Sequence, residues 1–280
     1  MRPILTFLFA FVTIATFAQK NFQGKATYMS KTTMDMSRFG EQMSEQRKKQ
    51  IMARMKNFLE KTYTLTFNKT ASSFKEEVSL DAPGTSGPSW GRNNGQGSIY
   101  KNTKDKKIIE DVEQFSKRFL IIEEMDQPKW EMGIETKKIG QYICYKATMT
   151  LEDKSIDYGK IFGRRGRGNN KEKDSTITKQ KVAKKRMLNI TAWYSPQISV
   201  STGPSKYYGL PGLILELNAG RTTMLCTEVV ISSESIIEIN EPKKGKEVSR
   251  EEYNKIIKVK TEELKEQFQG RGGLGGRGRN

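Results

Sequence analysis

Few side chains in this sequence have the type and spacing that chemistry needs. Ser72-Ser73-Phe74-Lys75 has the Ser-x-x-Lys spacing of serine acyl-transfer enzymes, where a lysine near the nucleophile handles its proton. The companion Ser-Asp-Asn and Lys-Thr-Gly elements are missing, and the four residues sit in an alternating run, so the spacing reads as coincidence. Glu76-Glu77 and Glu123-Glu124 are adjacent acids, which a strand would point to opposite faces. Acid–base work needs two carboxylates converging from separate segments. The chain has no histidine, which removes Ser-His-Asp and Cys-His catalysis, histidine-liganded zinc and histidine pH switching together. Met29, Met34, Met36, Met43, Met52 and Met55 crowd the N-terminal region, and thioethers bind Cu(I). Most of them fall where a helix wants flexible apolar filler, which favours packing over metal. The expectation is a protein with no catalytic residues, no metal and no cofactor, and an uncharacterised hydrolase ranks third behind two binding functions.

The chain begins MRPILTFLFAFVTIATFAQ, with Arg2, an apolar run from Ile4 to Phe17 and small residues at Thr16 and Ala18. This is the pattern of a signal peptide over residues 1–18, cleaved before Gln19. The run is shorter than the roughly 20 residues of a membrane-spanning helix, and no later stretch is apolar for long enough. The sequence therefore predicts an exported protein, with the periplasm favoured over the exterior. Export permits a disulfide between Cys144 and Cys226, and two buried free thiols are the equal alternative.

The formal net charge is +17, and its placement matters more than its size. Residues 163–186 hold ten basic and two acidic side chains, and the tail GRGGLGGRGRN adds three Arg, so the remaining body is only mildly basic. Arg164, Arg165, Arg167, Lys184, Lys185 and Arg186 are the candidate contacts of an anionic partner such as an envelope glycan or an outer-membrane protein. Arg-Gly segments bind RNA in other settings, but export argues against it here. A solvated loop without a partner accounts for the same charge.

These groups need elements to hold them. Residues 22–33 (FQGKATYMSKTT) read as a first strand. Met36, Phe39, Met43, Ile51, Met55, Phe58 and Leu59 recur at helical steps, which predicts an amphipathic helix near 37–60. Tyr63, Leu65 and Phe67 then alternate with Thr64, Thr66 and Asn68 in a half-buried strand. Further strand-like runs follow at 99–102, 107–114, 117–124, 130–150 (bending near Gly140), 187–196 and in a hairpin through Asn218-Ala219-Gly220. Ser249 and Glu252 stand at capping-box spacing before Tyr253, Ile256, Ile257, Leu264 and Phe268, which predicts a C-terminal helix over 249–269. The predicted fold is mainly β (α+β): a curved antiparallel sheet or half-barrel, with one N-terminal and one C-terminal amphipathic helix over its open face. One β-rich domain spans 19–248 with a flexible basic insert near 151–188, and a disordered Arg/Gly tail occupies 270–280.

Residues 207–217 read YYGLPGLILEL. In Leu210-Pro211-Gly212-Leu213, Pro suits the first central position of a turn and Gly the second, which predicts a type II turn leading into a buried strand. Leu213, Leu215 and Leu217 would share one face of that strand. A functional reading makes Trp193, Tyr207, Tyr208, Gly209, Leu210, Pro211 and Gly212 the mouth of a cavity. GLPGLI at 209–214 has neighbours in a set order: Trp130, then Gly140-Gln141-Tyr142-Ile143-Cys144-Tyr145-Lys146-Ala147, Ala192-Trp193-Tyr194 and Gly203-Pro204. On these residues the chain resembles the GLPGLI family of exported Bacteroidota proteins over most of residues 20–235. The resemblance implies an envelope or secreted protein of mainly β structure, carries no assigned activity, and does not extend to the basic insert or the tail. The leading expectation is an exported, non-enzymatic envelope protein that binds or carries an apolar ligand, a lipid, or a peptide. The alternative is an accessory protein that docks on an outer-membrane transporter or another anionic envelope partner.

Overall fold

The structure, a computed structural model, describes residues 22–34, 44–77, 97–152, 186–232 and 237–271. The expected signal peptide, the start of the first helix, most of the basic insert and the last residues of the tail lie outside the described residues. Strand β1 (Gln23–Thr32) buries Gly24, Ala26, Tyr28 and Ser30 on one side and exposes Lys25, Met29 and Lys31 on the other. Helix α1 (Glu45–Leu59) starts at Ser44, whose side chain accepts from the Arg47 N–H. It runs straight into β2 (Glu60–Asn68), and Asn68 Oδ1 accepts from the Thr70 and Ala71 N–H groups to close the hairpin to β3 (Ala71–Glu76).

Strands β4 (Ile99–Asn102), β5 (Lys107–Gln114) and β6 (Lys117–Glu124) form a meander. Phe115 and Ser116, both at positive φ, make its second turn the two-residue kind that matches strand twist. Then come β7 (Glu131–Ile139), β8 (Tyr142–Glu152), β9 (Met187–Ser195), β10 (Leu213–Ala219), β11 (Thr222–Ser232), β12 (Lys246–Val248) and helix α2 (Arg250–Arg271).

The twelve strands join in one open, curved sheet, in the order β12-β6-β5-β4-β3-β2-β1-β11-β10-β9-β8-β7. Every pairing is antiparallel except β12 with β6, a correction to the all-antiparallel expectation. After β11 the chain ties back through the Ile237 N–H to Gln23 Oε1, packs Ile239 against Tyr100, Ile109 and Leu120, and returns along β6 in the same direction. On the core face, Tyr28, Leu65, Phe67, Phe74 and Ile99 pack in one cluster with Ile190, Ala192, Ile214 and Leu217.

Helix α2 opens with the predicted capping box: the Ser249 N–H donates to Glu252 Oε2 at 2.9 Å and the Glu252 N–H to Ser249 Oγ at 3.2 Å. Tyr253 and Ile257 pack on Val112, Phe119 and Ile121, and Arg250 pairs with Glu110 and Glu123 on the strands beneath. Helix α1 does not cover a face in the same way, for none of its described side chains is buried. The alternation expected of Leu213, Leu215 and Leu217 is also broken. A bulge between Ile214 and Glu216 puts Ile214 opposite Tyr194 and Leu217 opposite Ala192, so these two share a side instead.

Candidate functional site

Between β9 and β10 the chain leaves the sheet, and residues 196–212 join the core. Ile198, Val200, Tyr207 and Leu210 are their buried anchors. The Leu213 and Ile214 N–H groups donate to the Ile198 and Thr202 carbonyls at 3.1 Å, and the buried Tyr28 hydroxyl donates to the Ile214 carbonyl at 2.7 Å. The type II turn is not formed. The Gly212 N–H donates to the Leu210 carbonyl at 2.8 Å, a γ-turn centred on Pro211, whose ring presets φ near the required value. The Leu213 N–H, which a type II turn would send to Leu210, is taken by Ile198. Gly212 serves close approach, since a Cβ there would stand 2.2 Å from the Ser195 carbonyl oxygen. Gly209 has φ +92° and lies against Pro128.

A residue that sequence reasoning passed over holds this segment. Lys101, opposite Ser72 in β3 and Ile108 in β5, is 2% exposed. Its Nζ donates to the carbonyls of Gly203 at 2.5 Å, Ser205 at 2.8 Å and Tyr207 at 3.1 Å. An ammonium has three N–H donors, and they match the three carbonyls of this irregular segment. Burial lowers the Lys101 ammonium to about 7. The carbonyl oxygens oppose that shift, because they bond the charged form. Lys101 stands in the four-residue run IYKN, where a lysine in alternation looks solvent-facing, so the sequence carries no signal for its burial.

Ser72 Oγ lies 2.9 Å from Thr202 Oγ1, while Lys75 is exposed, so the Ser-x-x-Lys spacing brings no nucleophile and base together. Beside Lys101 a shallow depression opens to solvent, too small for more than about a water molecule, where the polar side chains of Asn68, Thr70, Ser72, Thr103 and Ser201 share the lining with Ala71, Met125 and Tyr208.

The expected mouth residues do not converge. Tyr207, Leu210 and Gly212 are buried, while Gly209 and Pro211 are exposed. Tyr208 is half-buried: its hydroxyl donates to the Asp126 carbonyl at 2.5 Å, and its carbonyl accepts from Trp130 Nε1 at 2.8 Å. Trp193 sits opposite Lys146 and one residue out of phase with Tyr194, half-buried against the core cluster. There Lys137 Nζ lies 4.4 Å from its ring centre and 2.5 Å from Glu216.

Of the six candidate basic contacts, Arg186 is described and exposed. Arg164, Arg165, Arg167, Lys184 and Lys185 lie outside the described residues. Cys144 in β8 and Cys226 in β11 are unbonded, with β9 and β10 between them in the sheet. Burial pushes their thiols up to about 11 and about 12. Among the described residues no group of acidic and cysteine side chains is placed to hold a metal ion.

The far end of the sheet is different in character. β7 ends the strand order, and its residues from Glu131 to Thr136 are all exposed. Pairing with β8 is irregular between Met132 and Thr136, and Ile134 in that bulge is 98% exposed. Met132, Ile143 and Tyr145 are exposed beside it, and Lys146 ties the bulge through Glu135 at 2.7 Å.

Residues 130–216 match the model of a family of unknown function, Porph_ging. That span runs from Trp130 through β7, β8 and β9 and the corner segment to Glu216 in β10. No curated protein matches the chain. Two crystal structures of PNGF-II, in space groups C2 and P21, are similar over 84% of this chain, at 13% identity and TM-scores of 0.46 and 0.47. The similar region covers 32% and 33% of those chains, so this chain spans about a third of their length.

Proposed function

We propose that this is an exported, non-enzymatic binding protein that docks a polypeptide partner at the β7 end of its sheet. The observation that carries the reading is the exposed apolar group of Met132, Ile134, Ile143 and Tyr145 beside a strand whose outer edge is unpaired among the described residues. Exposed apolar side chains that cluster mark interaction surfaces, and an open edge offers backbone groups that another backbone can pair. The bulge at Met132–Thr136 interrupts that edge, so Ile134 anchors the partner by its side chain while the straighter stretch from Thr136 to Ile139 is left for backbone pairing. Export rests on the opening MRPILTFLFAFVTIATFAQ, and an envelope address on the resemblance to the GLPGLI family. The carrier reading has less support, because the chain's own residues 196–212 fill the core face where an apolar cargo would lie.

The test is a photo-reactive residue at Ile134, in the cell that exports the protein, with the same residue at Lys258 on α2 as control. The expected result is a discrete polypeptide adduct from position 134 that weakens about tenfold with Met132→Glu, the loss of one buried apolar anchor. Identical adduct patterns from both positions, or a pattern indifferent to Met132→Glu, refute the reading.

A further inference from the structure

Helix α1 has the spacing of a core helix but lies only loosely against β1 and β2. Ile51, Met52, Met55 and Leu59 fall within about a third of the helical circumference, the stripe that normally faces a sheet. Yet Ile51, Met55 and Leu59 are only half-buried and Met52 is 40% exposed. α2 packs on β5 and β6, and residues 196–212 are built into the core beside β1 to β4. Among the described residues the stripe of α1 is only partly covered.

What flanks the stripe indicates what it fits. Arg47 lies four residues before Ile51 on one border, and Lys49 and Lys56 lie three before and four after Met52 on the other. With Lys48, which stands in line with the stripe at its N-terminal end, and Arg54 the helix carries five basic residues against one acid, Glu45, and its remaining positions are Gln46, Gln50, Ala53, Asn57 and Phe58. An apolar stripe bordered by long basic side chains is the arrangement of a helix lying in a lipid interface, with Lys and Arg reaching out to anionic headgroups. Lys48 pairs with Glu45 at 2.6 Å and Lys56 lies 3.9 Å from Glu60, so the basic excess of the helix rests chiefly on Arg47, Lys49 and Arg54. The helix is about 22 Å long at 1.5 Å per residue, and none of the described helices is long and apolar enough to cross a membrane. The geometry fits lying on a bilayer.

We propose that α1 is a surface anchor for an anionic lipid bilayer, with Ile51, Met52, Met55 and Leu59 entering the interface and Arg47, Lys49 and Lys56 meeting the headgroups. This goes beyond partner docking at β7 and uses a separate element of the sequence.

The experiment uses the full mature chain with Met52→Cys carrying an environment-sensitive dye. Cys144 and Cys226 are buried, so labelling can be confined to position 52. Vesicles of phosphatidylglycerol and phosphatidylethanolamine are compared with neutral phosphatidylcholine vesicles. The expected result is a blue shift and quenching by a lipid-borne quencher on the anionic vesicles only. Ile51→Ser with Met55→Ser should weaken partitioning about tenfold or more, and Lys49→Gln or Lys56→Gln about fivefold each. Sedimentation with anionic vesicles without a dye shift would mean that the basic insert and tail bind by charge alone, and would overturn the proposal. So would a dye shift unchanged by the Ser substitutions. Crosslinking at Ile134 reports on β7 independently.

Discussion

Gly212→Ala separates a corner from a binding mouth. If the GLPG step is chiefly a structural corner, adding one methyl group at 212 should damage the fold far more than changing its more exposed neighbour. A Cβ at 212 would stand 2.2 Å from the Ser195 carbonyl oxygen, 2.5 Å from its carbon and 2.8 Å from the Pro196 nitrogen. All three are backbone atoms at the exit of β9, so no side chain can swing away, and the segment must shift bodily from its bonds to Ile198 and Thr202. Overpacking usually costs about 1–3 kcal/mol, and a clash with fixed backbone belongs at the upper end, about 3 kcal/mol. At about 2–4 °C per kcal/mol for a chain of this size, the midpoint should fall by about 6–12 °C. Pro211→Ala keeps the γ-turn hydrogen bond and loses the ring's restriction of the unfolded chain, about 0.4–1 kcal/mol. Gly140→Ala is the control for backbone alone: φ is +57° with nothing within 4 Å, so about 1 kcal/mol is expected. Thermal and urea unfolding of the three variants, followed by circular dichroism, give the order. A Gly212→Ala protein within 1 kcal/mol of the parent would refute the packing argument and reopen the mouth reading.

Lys101→Met should cost about 3 kcal/mol or more, because the carbonyls of Gly203, Ser205 and Tyr207 lose their donor. Its pH dependence has a definite sign: with a native value near 7 against 10.5 unfolded, the folded state sheds this proton first. The parent should therefore gain stability over Lys101→Met as pH rises from 7 to 10.5, and lose that gain as pH falls through 7. A flat difference in urea midpoints would mean that the three carbonyls restore the ordinary proton affinity. Cys144 and Cys226 should resist iodoacetamide at pH 8 in the native state and react on unfolding, since burial holds them up at about 11 and about 12. The thiols' contribution to stability is complete below their unfolded value of 9.0 and declines above it, because the unfolded chain ionises first. Arg250→Met leaves Glu110 and Glu123 unanswered at the base of α2 and should cost about 2–3 kcal/mol, a buried-pair loss discounted for partial exposure, read as a lowered urea midpoint.

Strands such as β2 and β3 were legible because two-residue alternation meets turn chemistry at their ends, here around the Asn68 side chain. What was not legible depends on neighbours distant in sequence. β12 is three residues, Lys246-Glu247-Val248, and is a strand only because Phe119–Ile121 lies beside it. The bulge in β10 hides in Leu213-Ile214-Leu215, where an unbroken apolar run offers no alternation to interrupt. Residues 201–206, Ser-Thr-Gly-Pro-Ser-Lys, have the composition of a surface loop, and their carbonyls are met partly by backbone N–H groups of Tyr207, Gly209 and Ile214 and partly by the Lys101 side chain from β4. The candidate site suffered most, since residues grouped by resemblance and spacing were separated by strand phase: Tyr194 and Trp193 leave β9 on opposite sides. Helix α1 shows the limit of periodicity most directly. A stripe at helical spacing reports that an apolar partner exists, and says nothing of which one. In this fold residues 196–212 share the core from inside the chain, so the stripe that the sequence offers to a sheet remains partly exposed beside a border of lysine and arginine.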